Sequence, residues 1–371
     1  MRTKLYALTA AGLLAAAALP ACTTTGDDSG GGSAPRAAAG APGTGKVGVI
    51  LPDTTTSQRW GSDDPKLLEA AFDAEDVPVD IRNAQGDKEQ FARIADEMIE
   101  SGARVLMIAN LDSASGSAVL ERARAARVKT IDYDRLTLNG GADYYVSFDN
   151  EAVGRQQGEG LVRCLRERRA ADPMVAYLNG SNTDNNATLF KKGYNEVIQP
   201  LFDQGLFLKG PDQDVDDWKE EAAVTIFREM WVQTRGEIDG VLAANDTLGA
   251  AAIAELKKAH RNGAVPVTGQ DATVQGLQNV LSGDQCMTVY KPIKQEADAA
   301  AKLAISLYQG VTAAAKDRVK DVESGAYVPS VLLQPRAIFR ADVGSVIADG
   351  FVERSAVCTG RFAPLCEANG I

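Results

Sequence analysis

Histidine is almost missing from this chain of 371 residues: His260 is the only one. It falls in Lys257-Lys-Ala-His-Arg261 at a helix end, where a solvated cation beside unpaired carbonyls is the ordinary explanation. There is no HExxH helix and no GxSxG elbow, so the common zinc-peptidase and serine-hydrolase arrangements are excluded. There is no GxxxxGK[ST] loop and no GxGxxG loop joining a strand to a helix, so no phosphate cradle is expected. Asp212-x-Asp214-x-Asp216 has Asp217 where a calcium loop needs its turn glycine and Ala223 at the twelfth position, so no metal is expected. Positive charge is in deficit, with a formal net charge of −11. An acidic surface argues against nucleic acid and against electrostatic attachment to anionic lipid.

Long apolar runs are also scarce. The one extended run, Leu5 to Leu19 behind Arg2 and Lys4, is short and alanine-rich for a membrane span and reads as the core of a signal peptide over residues 1–21. It closes on Leu19-Pro-Ala-Cys22, which is similar to a bacterial lipobox, with Cys22 the expected site of lipid attachment. Residues 22–45 hold almost no large apolar side chain, cannot bury enough surface to fold, and read as a flexible tether. The expectation is a globular body at the outer face of the cytoplasmic membrane.

Four further cysteines remain: Cys164, Cys286, Cys358 and Cys366. None has the CxxC spacing of a zinc or redox site, and an even number in an exported chain suggests disulfides. Cys358 and Cys366 are neighbours near the C-terminus and are expected to pair, which leaves Cys164 with Cys286, although sequence alone allows three pairings.

At this length two domains are the default, and 45% hydrophobic with 24% charged residues describes a globular protein. From Lys46 short apolar runs alternate with amphipathic stretches. Strands are expected at Val47–Leu51, Val77–Ile81, Val105–Ala109, Ile131–Asp132 and Tyr144–Ser147, with helices between. The rhythm restarts after Ser147-Phe-Asp-Asn150, with strands at Met174–Leu178, Leu206–Leu208, Ile238–Ala243, Val265–Thr268 and Cys286–Tyr290. Repeated βαβ units predict two α/β lobes with parallel sheets covered by helices, and a cleft between the strand ends.

The strand ends carry the polar residues. Ile131-Asp-Tyr-Asp-Arg135 leaves Asp134 and Arg135 where open α/β sheets bind ligands. In the second half, Asn182-Thr-Asp-Asn-Asn186, Asn245-Asp246, Gln270-Asp271 and Lys291 occupy equivalent places. Helix capping accounts for Asp184 and Asp246 taken singly. Recurrence at four strand ends favours a ligand site. Paired donors and acceptors of this kind suit successive hydroxyls, and Trp60 and Trp218 offer faces for a sugar ring. An amino-acid ligand remains chemically possible. Asp134 and Asp271 as a glycosidase pair is disfavoured, because basic neighbours would hold both ionised and leave no general acid.

Taken together, Arg59-Trp60, Tyr133-Asp-Arg135, Ser147-Phe-Asp-Asn150, Asp184-Asn-Asn-Ala187, Val215-Asp-Asp-Trp218, Asn245-Asp246, Gly269-Gln-Asp271 and Thr288-Val-Tyr-Lys-Pro292 resemble the periplasmic sugar-binding proteins of ABC importers, above all the D-xylose-binding ones. The resemblance covers about residues 46–355. It implies a type I periplasmic binding protein fold, two doubly wound lobes joined by a three-stranded hinge. The N-terminal lobe would hold residues 46–148 and about 292–327, and the C-terminal lobe 149–291 and about 328–371. It implies that Arg59, Asp134, Arg135, Asn185, Asn245, Asp271 and Lys291 bond a monosaccharide while Trp60 and Trp218 sandwich its ring. It further implies a monomer without catalytic residues or cofactor, serving an ABC permease and its ATPase. Receptors for arabinose, glucose, galactose or ribose, and a sensor serving a chemosensory or kinase partner, are the alternatives. The lipobox, the tether and the tail Cys358 to Ile371 depart from the family pattern.

Overall fold

The computed structural model describes residues 45–371. The expected signal peptide, Cys22 and the tether up to residue 44 lie outside the described residues. The strands in chain order are β1 Lys46–Leu51, β2 Val79–Asn83, β3 Ala103–Ile108, β4 Lys129–Tyr133, β5 Tyr144–Phe148, β6 Met174–Asn179, β7 Leu208–Asp214, β8 Gly240–Ala243, β9 Thr288–Tyr290, β10 Asp317–Lys320, β11 Tyr327–Leu333 and β12 Arg336–Ile338.

The first lobe is one sheet in the order β10-β11-β5-β4-β3-β1-β2, parallel throughout except for the β10–β11 pair. β1, β3, β4 and β5 are buried along nearly their whole length, as strands covered on both faces must be. On one face Leu68 and Phe72 of the helix Asp64–Asp73 pack with Ala297, Ala301 and Ala304 of the helix Ile293–Tyr308. On the other, Phe91, Ile94 and Met98 of Lys88–Glu100 meet Val119 and Leu120 of Ser113–Ala125.

In the second lobe β6 lies between β7 and β8, all parallel, and β9 pairs antiparallel with β12. Its two longest helices, Asn150–Glu167 and Asn185–Asp203, pack at very short range. A Cβ on Gly154 would stand 2.1 Å from the Phe190 carbonyl oxygen, and one on Gly193 2.1 Å from that of Glu151. Only glycine permits that approach, and it brings the starts of both helices together under the cleft. The tail packs Val343, Val346, Val357 and Cys366 against Leu277, Val280 and Tyr290.

The chain passes between lobes three times, after β5, between β9 and the helix Ile293–Tyr308, and between β11 and β12. The last crossing comes later than the expected return at about residue 328. Tyr327–Leu333 is still a strand of the first sheet, pairing with Tyr145–Phe148, and it removes the exposed edge β5 would otherwise present. Two expected strands also shift. The strand expected at Leu206–Leu208 begins only at Leu208 and runs on through Asp212 to Asp214, and an edge position lets these carboxylates and Pro211 be accommodated. Val265–Thr268 forms only isolated bridges, Val265 with Asn262 and Val267 with Val241. Pro266 has no N–H to continue a ladder.

Cys164 is bonded to Cys286 and Cys358 to Cys366. The first bridge joins residues 122 apart, so it restrains the unfolded chain strongly. Replacing Cys164 and Cys286 by serine is expected to lower unfolding free energy by about 2–4 kcal/mol. Urea titrations that superimpose for variant and parent would contradict this.

Candidate functional site

β4 ends at Tyr133, and Asp134 turns the chain in a left-handed conformation, φ 62°. An aspartate rarely adopts this without support. The support is explicit: the Asp134 N–H donates to the Val146 carbonyl at 2.8 Å. The Asp134 carbonyl accepts from Ser147 Oγ at 2.8 Å, Tyr145 Oη at 3.1 Å and Asn186 Nδ2 at 3.1 Å. The turn thereby aims the Asp134 carboxylate and Arg135 across the cleft. Asp271 (φ 99°) and Trp218 (φ 56°) are held in positive-φ backbone as well.

A cavity open to solvent lies between the lobes. It is lined from the first lobe by Thr56, Ser57, Arg59, Trp60, Asp134 and Arg135, and from the second by Asp184, Asn186, Phe190 and Trp218. Asn245, Gln270, Asp271 and Lys291 complete the lining. Of the nine expected ligand residues, eight line this space. Asn185 does not: the structure puts its neighbour Asn186 there. Both open the helix Asn185–Asp203, where successive side chains point about 100° apart, so one faces the cleft and the other turns away. Asn150 Nδ2 fixes the choice by donating to Asn186 Oδ1 at 2.9 Å.

Arg59 is buried and holds three carboxylates. It reaches Asp64 through Nε (2.6 Å) and Nη2 (2.7 Å), Glu296 through Nη2 (2.6 Å) and Asp134 through Nη1 (3.0 Å). Tyr133 Oη donates to Asp64. This occupies the guanidinium on the protein itself, so Arg59 is chiefly a fixed post for Asp134. Its plane stacks on Trp60, 4.3 Å from the ring centroid, and clamps that indole. Asp64 and Glu296 went unmarked in the sequence: they lie 5 and 237 residues from Arg59, and nothing local joins Glu296 to it.

Lys291 sits 3.3 Å from Asp271 and is buried. Burial works against its charge, but Asp271 and Asp134 outweigh it and raise its pKa above the ordinary lysine value. Arg135 Nε stands 3.3 Å from Asp184, and Asn186 Nδ2 3.1 Å from the Asp134 carboxylate, so the lobes touch directly. Asn245 caps its helix through Oδ1, bonded to the Leu248 N–H at 2.9 Å, which leaves its amide NH₂ for the cleft. Asp246 is no cap. It takes hydrogen bonds from Thr288 Oγ1, Gln285 Nε2 and the Thr273 N–H at 2.7–2.8 Å and ties three loops together.

Trp218 has its place because residue 180 is glycine: a Cβ there would fall 2.0 Å from the indole. The ring meets Phe190 edge-on at 6.4 Å. Trp60 Nε1, Trp218 Nε1 and Gln270 Oε1 are buried without a hydrogen-bond partner. Buried polar atoms are seldom left so. All three belong to residues lining the interlobe cavity, while other such atoms, among them Tyr177 Oη and Gln157 Oε1, lie elsewhere.

Comparison with known proteins agrees with this geometry. A family model described as a periplasmic binding protein domain matches residues 47–312. The chain belongs to the periplasmic binding protein family. It is 33% identical over 315 residues to the D-xylose-binding periplasmic protein of Haemophilus influenzae, covering 84% of this chain and 92% of that one. It is 31% identical to the multiple sugar-binding periplasmic receptor ChvE of Rhizobium radiobacter, covering 85% and 92%. Among solved structures it is similar to a carbohydrate transporter solute binding protein from Chloroflexus aurantiacus in complex with D-glucose. There the TM-score is 0.76 and the identity 28%, with 84% of this chain and 97% of that one covered. These are sugar-binding transport proteins and not enzymes.

Two measurements follow from the buried charges. Arg59→Met would leave three carboxylates without their cation and should destabilise the fold by about 3–5 kcal/mol; an unchanged denaturation midpoint would refute the role given to this residue. Burial lifts Glu296 to about 8, against the opposing pull of Arg59, and lifts Asp132 and Asp246 to about 7. A carboxyl whose pKa is raised by folding binds more protons folded than unfolded. Its contribution is therefore full below about pH 4 and is lost as pH climbs through 7 to 8. Carboxylates with lowered pKa, among them Asp80, Asp112 and Asp321, act oppositely and set the acid limit. Melting temperature should thus be higher at pH 5 than at pH 8.5, and Glu296→Gln should flatten the alkaline decline.

Proposed function

We propose that this chain is a lipid-anchored receptor that closes on one monosaccharide, D-xylose first among candidates, and presents it to an ABC permease. The observation that carries the reading is the interlobe cavity, where buried donors and acceptors from both lobes converge beside two indoles. Closure can be driven only by contacts a ligand makes when both lobes touch it at once. Arg59 fixes Asp134, Lys291 fixes Asp271, and Asn186 bridges to Asp134, so a ring in the cavity meets preset partners from both sides.

Xylose is favoured by the identity to a D-xylose-binding protein over most of the chain. Another aldose is the second reading, favoured by the likeness to a multiple sugar-binding receptor and to a protein holding D-glucose. Anchoring rests on Leu19-Pro-Ala-Cys22 and the tether behind it. Delivery to a permease rests on the family, and a chemosensory or kinase partner would use the same closed form.

Calorimetry with D-xylose, L-arabinose, D-ribose, D-glucose and D-galactose tests the reading. D-Xylose should bind, and Asp271→Ala and Asn186→Ala should each weaken it at least tenfold, the order expected when a buried partner loses its bond at about 1–3 kcal/mol. Asn185→Ala should change affinity less than twofold. If none of the five sugars binds, the receptor reading fails; if a hexose binds and xylose does not, the site stands with a different ligand.

A further inference from the structure

Beside the inner cavity lies a second and larger space that is open to solvent. The two share Ser57, Arg59, Asp271 and Lys291, so these residues form the threshold between them. One wall of the outer chamber comes from the first lobe, Gln58, Ser62 and Asp63. The opposite wall is Thr273 and Val274 with Phe351, Val352, Glu353 and Ala356 of the tail.

That tail wall is built and fastened. Phe351 packs on Tyr290 with ring centroids 4.9 Å apart, and Gln278 Nε2 donates to the Ala356 and Val357 carbonyls at 3.1 and 3.2 Å. The Cys358–Cys366 disulfide closes the segment just beyond.

The lining states the chemistry it suits. Gln58, Ser62 and Thr273 supply neutral polar groups, Asp63 and Glu353 supply acceptors, and Phe351 and Val352 supply apolar surface. The two cations at the threshold are already committed, Arg59 to three carboxylates and Lys291 to Asp271. What faces the outer chamber beyond them is neutral or negative. An anionic group is therefore disfavoured, and a polyhydroxylated ring with one apolar face is suited.

Resting on the receptor reading above, we propose that the outer chamber is a second saccharide subsite. It takes a neutral sugar residue joined to the one held in the inner cavity, so that the protein accepts a short oligosaccharide or glycoside as well as a free monosaccharide.

The test is calorimetry on the purified full-length protein in detergent with D-xylose, xylobiose and an aldobiouronic acid of xylose and glucuronic acid. Xylobiose should bind within about tenfold of xylose, and the acidic disaccharide at least tenfold more weakly than xylobiose. Ala356→Trp, which fills the outer chamber from an exposed helix, should weaken xylobiose at least tenfold and leave xylose within twofold. Retained xylose binding also shows that the variant is folded. If xylose binds and xylobiose does not, or if Ala356→Trp lowers both equally, the subsite is refuted while the monosaccharide receptor stands. If neither xylose nor xylobiose binds, the subsite is refuted, and the receptor reading is decided separately by the five-sugar calorimetry above.

Discussion

The buried guanidinium of Arg59 is the contact on which the site depends. Three carboxylates, Asp64, Asp134 and Glu296, converge on it from three separate elements, and each would be costly to bury without it. One cation among three acids leaves a deficit of positive charge, and the chain answers in two ways. Glu296 is pushed toward its neutral form, and Lys291 adds a second cation within the field of Asp134. The outcome is a carboxylate on Asp134 that is held still while keeping acceptor capacity toward the cleft. A ligand arriving there meets a group whose orientation was fixed during folding, which lowers the ordering cost of binding.

The same economy governs the backbone. Asp134, Trp218 and Asp271 lie in a region of backbone space that suits glycine, and all three line the cavity. Around Asp134 three donors converge on its one carbonyl, two from β5 and one from Asn186 of the other lobe. The turn that points the Asp134 side chain into the cavity is thus also a point where the lobes meet, so under the proposed receptor reading ligand contact and lobe closure would draw on the same atoms. Motion about the three crossings would alter both together.

Much of this architecture was legible from residues alone. The apolar runs Val47–Leu51, Val105–Ala109 and Tyr144–Ser147 read as buried strands and mark strands of the first sheet, and Asp134 and Arg135 read as the polar end of β4. The misplacements share one cause, the weakness of local signals against pairing partners. The strand expected at Leu206–Leu208 runs on to Asp214 because β6 supplies hydrogen bonds to its acidic continuation, and Tyr327–Leu333 belongs to the first lobe because β5 needs a neighbour. Val265–Thr268 stops at isolated bridges because Pro266 cannot donate.

The resemblance implied nine residues, of which eight line the cavity, and residue type and order alone were enough to read two α/β lobes and the strand ends that converge on the cleft. Periodicity and turn chemistry act over a few residues, and those features depend on nothing longer. The choice of Asn186 over Asn185, the recruitment of Glu296 to Arg59 across 237 positions, and the wall the tail raises beside the cleft came from packing. Each depends on groups distant in the chain finding one another in a space that does not exist until both lobes have closed around it.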